Sequence, residues 1–98
     1  MAAAVITPTA AEDLDRLIRT HSLPPATRDR VKRSIEPLRT LPHLGAPLVG
    51  RWSRFRFVLG PWRWMIVVYA FDEEADRVAI VTIQDARSGR AATSSSPG

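Results

Sequence analysis

The spacing of apolar positions divides the 98-residue chain into two halves. In the first half they recur every three or four residues, and in the second they alternate or run together. Ala3 to Ile6 is a short apolar run and reads as a strand. Thr7-Pro8 offers a Thr N-cap followed by Pro at the first helical position. The capping box Thr9-Ala10-Ala11-Glu12 is a rival start. Either start predicts a helix to about Thr20 with Ala10, Leu14, Leu17 and Ile18 on one face. Its early acids Glu12, Asp13 and Asp15 and late cations Arg16 and Arg19 suit the helix dipole. Leu23-Pro24-Pro25 breaks this helix and opens a second, whose stripe is Ala26, Val31, Ile35 and Leu38. Its other face carries Arg28, Arg30, Lys32, Arg33 and Arg39, with Asp29 and Glu36 among them, and reads as a solvated face. Pro37 removes a backbone donor and predicts a kink, or a break with a short final turn. Leu41 to Pro47 is a loop.

From Arg51 the period is two. Arg54-Phe55-Arg56-Phe57 predicts a half-buried strand with both arginines on one face and both rings on the other, toward the core. Gly60-Pro61 is a turn. Trp62 to Phe71 is almost wholly apolar, as in a central strand covered on both faces. Asp72 to Asp76 is an acidic turn, and Val78 to Ile83 is a third strand followed by Gln84-Asp85-Ala86-Arg87. Residues 88–98 are mostly Ser, Ala and Gly and read as a disordered tail, which leaves one domain over residues 1–87. The predicted class is α+β, in the order β-α-α-β-β-β, with both helices on one face of a mainly antiparallel sheet.

Composition narrows what this domain does. Hydrophobic residues at 45% and charged residues at 24% are ordinary for a globular chain, and a chain this short holds one modest core. The absence of cysteine excludes a disulfide scaffold, a thiolate metal site and a Cys nucleophile. Two histidines alone do not close a zinc site, and no motif calls for a cofactor. The first residues lack a basic n-region, and the apolar run Met65 to Phe71 is seven residues against the roughly 20 of a membrane span. A cytoplasmic protein without a membrane segment is expected.

Charge changes the picture more. Fourteen Lys+Arg face ten Asp+Glu, and Lys32 is the one lysine. Arg51, Arg54, Arg56 and Arg63 lie within thirteen residues that contain no acid, so this stretch equals the whole net charge of +4. Trp52, Trp62 and Trp64 accompany them. Guanidinium forks match phosphate oxygens and indole rings stack on unpaired bases. Arg51, Trp52, Arg54, Arg56 and Arg63 are therefore candidate nucleic-acid-binding residues. Acid–base groups are scarce beside them. Asp85 is the nearest carboxylate and reads as a turn residue or an Arg partner, while His21 and His43 read as surface histidines in loops.

The order of these motifs resembles a known family. It comprises Ala10…Asp13-Leu14…Leu17 after Thr7-Pro8, then Pro37-Leu38…Pro42…Gly45…Pro47-Leu48, then Arg54-Phe55-Arg56-Phe57 and Gly60. Val67-Val68-Tyr69 before the acidic turn and Val78…Ile80…Ile83…Arg87 complete it. The chain resembles the RelE/ParE superfamily of toxins from type II toxin–antitoxin pairs. The resemblance implies the fold above and a cognate antitoxin. It implies either ribosome-dependent mRNA cleavage or translation block, as in RelE-like members, or poisoning of DNA gyrase without nuclease activity, as in ParE-like members. It further implies that Arg54, Arg56, Arg63 and Arg87 are the catalytic set of a RelE-like toxin. The C-terminal tyrosine of many such nucleases has no counterpart, and Thr93 sits near its place. Arginine stabilises a charged phosphorane well but transfers protons poorly. The arginine cluster favours the ribosome-directed reading, and the missing acid–base group motivates the gyrase reading. A non-toxic nucleic-acid or protein-binding module on the same fold is the third.

Overall fold

Thr7, rather than Thr9, starts the first helix. In the computed structural model, which describes residues 1–94, β1 (Ala3–Ile6) leads into α1 (Pro8–Thr20). The Thr7 hydroxyl accepts from the Ala10 N–H at 3.3 Å and donates to the Ile80 carbonyl at 2.7 Å. One side chain thus caps the helix and ties it to the sheet. The second helix, α2 (Thr27–Ile35), ends before Pro37, and a 3₁₀ turn over Glu36–Arg39 finishes it. That is the break with a short final turn. Ala26 is exposed, and Thr27 takes the buried place expected for it, its hydroxyl donating to the Pro24 carbonyl at 2.6 Å.

The sheet has five strands, β2 (Ala46–Pro47), β3 (Arg56–Leu59), β4 (Met65–Asp72) and β5 (Arg77–Asp85) joining β1 in the order β1-β5-β4-β3-β2. β1 runs parallel to β5 and the other pairs are antiparallel. Two residues are too short to leave a periodic signal, so β2 was not predicted. Two predicted strands also begin late. β3 starts at Arg56 and leaves Arg54 in the preceding turn, and β4 starts at Met65 and leaves Trp62 and Trp64 in the turn before it. That turn is tight, because a Cβ at Gly60 would lie 2.7 Å from Met65 Sδ.

β4 is the central strand, and Met65 to Tyr69 are at most 1% exposed. Alternation along it divides the core. Met65, Val67 and Tyr69 pack with Ala10, Leu14, Val31, Ile35 and Leu38 of the helical layer. Ile66 and Val68 face the other way and pack with Leu48, Ala91, Ala92, Trp52, Phe55 and Phe57. The two phenylalanines do point away from Arg56, but into this second layer instead of the helix-covered core. The expected disordered tail also differs over residues 88–94. Ala91 and Ala92 are 5% and 6% exposed, and the Ala92 N–H donates to the Gln84 side-chain oxygen at 2.8 Å. Residues 95–98 of that tail lie outside the described residues. Among the described residues no helix is long and apolar enough to cross a membrane.

Candidate functional site

The arginine-rich stretch does not form one surface. Arg51 and Arg54 are exposed, and the Arg51 guanidinium lies 5.9 Å from the Trp52 ring centre. Trp52 itself tilts against Phe55 at 5.8 Å in the second core layer. Arg56 faces the opposite side, like its cross-strand neighbour Tyr69. Its Nη1 donates to the Gly45 carbonyl at 2.8 Å and, more weakly, to the His43 carbonyl at 3.4 Å. The Tyr69 hydroxyl accepts from the Gly45 N–H at 2.9 Å and donates to the Pro42 carbonyl at 2.7 Å. Burial pushes the Tyr69 hydroxyl above its ordinary value, against the Gly45 hydrogen bond and the nearby Arg56 charge. Gly45 is required there, since a Cβ would come 2.7 Å from both the Phe57 carbonyl and the Tyr69 ring. Arg56 is thus a strut for the loop before β2.

A second group gathers at the other end of the sheet. Arg63 is exposed in the turn between Trp62 and Trp64. The two indoles stack at 6.3 Å, and Arg30 of α2 caps Trp62 at 4.9 Å. Arg87, just past β5, lies 4.9 Å from the Trp64 ring centre. His21, just past α1, stacks on Trp64 at 4.7 Å. Asp85 joins these two. It accepts from Arg87 Nε and Nη2 at 2.9 and 2.8 Å, and it sits 3.2 Å from His21 Nε2. The hydrogen bond from the Arg87 guanidinium is the main reason the Asp85 carboxyl is held far below the usual carboxylate range.

Register separates the two groups. Arg56 pairs with Tyr69 and Asp85 pairs with Met65, four positions earlier on β4. That is about 13 Å along the strand and about 10 Å across it, since β3 and β5 flank β4. The predicted set Arg54, Arg56, Arg63 and Arg87 is therefore split between the two groups.

The family model described as "ParE toxin of type II toxin-antitoxin system, parDE" matches residues 4–88. The chain belongs to the ParE toxin family. Solved structures agree in fold. The toxin–antitoxin complex RelBE2 from Mycobacterium tuberculosis contains a chain with a TM-score of 0.63 at 23% identity, over 86% of this chain and 96% of that one. A copper-bound mutant toxin from Helicobacter pylori gives 0.61 at 18% identity, over 87% and 94%. A conserved hypothetical protein from the same organism gives 0.57 at 15%, over the same shares. No curated protein sequence matches.

Within this ParE-family chain, the turn end combines three capacities. Arg87 presents a guanidinium, Trp64 a ring and His21 an imidazole. The described residues hold no group of three or more His, Cys, Asp or Glu placed for a metal ion. Asp85, expected as a turn residue or an Arg partner, pairs with Arg87. His21, expected as a surface histidine, is exposed and also contacts Asp85 and Trp64. The one signal lay in type, because His21 is one of only two residues in the chain whose unperturbed side chain exchanges protons near neutral pH.

Proposed function

We propose that this protein is the growth-arresting member of a toxin–antitoxin pair and acts on messenger RNA at the ribosome. The observation that supports this reading is the convergence of Arg87 and His21 on both Asp85 and Trp64, with Arg63 in the adjoining turn. A guanidinium suits a phosphate, an indole suits an unpaired base, and an imidazole can exchange a proton. The arginines alone lacked the last of these. Purified protein added to ribosomes carrying mRNA should cleave the message, and intact mRNA would sink the proposal. Induction of the chain alone should arrest growth, with relief by the neighbouring antitoxin.

One observation favours the gyrase reading. Arg56 is committed to the loop carbonyls and Arg54 stands apart in a turn, so half of the nuclease set implied by the resemblance is not assembled. A supercoiling assay decides between the two. Inhibition of gyrase with no cleavage of ribosome-bound mRNA would establish the second reading.

A further inference from the structure

Asp85 fixes the chemistry of His21. Its carboxyl is ionised and can only accept hydrogen bonds, so the proton on His21 Nε2 points to it. In the neutral ring this leaves the lone pair on Nδ1. The Thr20 hydroxyl lies 2.9 Å from Nδ1 and, in this tautomer, donates to it. Hydroxyl, imidazole and carboxylate stand in sequence, as in a general-base relay. The His21 side chain is 29% exposed and Asp85 18%, so the pair is partly open to solvent.

The surroundings suit a nucleotide. Arg87 gives Nε and Nη2 to Asp85, and its Nη1 makes no hydrogen bond among the described residues. A guanidinium has five N–H donors, so Arg87 keeps an edge for a phosphate oxygen. A cleft of about 300 Å³, walled by Asp13, Arg16, Thr20, Asp85, Ser88 and Arg90, shares Asp85 with this group.

We propose that His21 Nδ1 is the proton acceptor for cleavage of RNA bound against Arg87. This rests on the RNA-directed reading above. A ribose 2′-hydroxyl displaces the Thr20 hydroxyl from Nδ1. As His21 takes its proton, the 2′ oxygen forms a bond to phosphorus and the bond from phosphorus to the 5′ oxygen breaks. The departing oxygen takes a proton from water, and His21 returns its own to solvent. The products are a 2′,3′-cyclic phosphate and a 5′-hydroxyl. Asp85 positions His21 and Arg87 together. The charged groups facing His21 are Asp85 and, through it, Arg87. Trp64 and Thr20 are neutral, and Arg16, earlier on α1, is held by Asp13 at 3.2 Å.

The test is single-turnover cleavage of ribosome-bound mRNA by wild type, His21→Asn and His21→Ala. The wild-type rate should fall as pH is lowered from about 8 to about 5, where imidazoles take up a proton. His21→Asn should lose about 10²- to 10⁴-fold in rate while still binding the ribosome. Added imidazole should restore part of the His21→Ala rate, which a merely structural histidine would not allow. A His21→Asn rate within about threefold of wild type, far short of a general-base loss, overturns the inference alone. A wild-type rate indifferent to acidification does the same, even if the variants fail to fold. No cleavage by wild type overturns both the inference and the reading beneath it.

Discussion

The two ends of the sheet hold similar residues put to different uses. At the β3 end, Arg51, Arg54 and Arg56 lie close in sequence and do unrelated things: two are solvated and one braces a loop. At the turn end, His21, Trp64, Asp85 and Arg87 come from three separate segments and touch one another, and Arg30 from a fourth caps the adjoining Trp62. Charge density along a chain measures neither convergence nor freedom. What builds a reactive surface is a group that aligns others, and at the turn end that group is Asp85.

Substitution of that carboxylate gives the largest contrast. Asp85→Asn keeps the shape but removes the charge that orients His21 and Arg87, and should lower mRNA cleavage by about 10²-fold or more. Retained cleavage would place the chemistry elsewhere. At the β3 end the expected loss is of folding instead. Arg56→Ala strips the partly buried Gly45 carbonyl of its donor, and the exposed His43 carbonyl of a weaker one, and should cost about 1–3 kcal/mol in urea unfolding. Tyr69→Phe should cost a similar amount, and the double variant less than the sum, since both hold the Gly45 loop.

Acid separates the ends further. The folded Asp85 carboxyl titrates below its unfolded value, so the folded state binds fewer protons and stability rises with pH across that interval. Its contribution is complete above about pH 4 and lost as pH falls below that. Asp85→Asn should therefore flatten the acid limb of a stability–pH curve, whereas Arg56→Ala should shift the whole curve. Smaller effects belong to the exposed cations. Arg51→Ala with Arg54→Ala, at the end the RNA does not occupy, should change the salt slope of RNA binding by less than about one. Arg30→Gln, which removes the cation over Trp62, should cost about 0.5–1 kcal/mol.

Local signals in the sequence located the elements well where one residue type decides the matter. Thr7-Pro8 marked the start of α1, Pro37 the end of α2, and the apolar run the central strand. Strand starts were misjudged because Arg54 and Trp62 fit a period of two without being hydrogen-bonded into the sheet. The apolar run implied that both faces of β4 are covered, but not what covers the second, because alanines help to close it and alanine carries little pattern. Arg63 and Arg87 were named from motif position. His21 was not, because its partners Asp85 and Trp64 are 64 and 43 positions away and only the fold brings them together.

Three tryptophans provide reporters for both ends, Trp52 at one and Trp62 and Trp64 at the other. The most direct measurement is therefore the indole N–H spectrum of ¹⁵N-labelled protein during titration with a short single-stranded RNA. The Trp64 signal should move most and Trp62 with it, while Trp52 stays in place. Movement of Trp52 with Trp64 unmoved would put the RNA at the arginine-dense end and contradict the account.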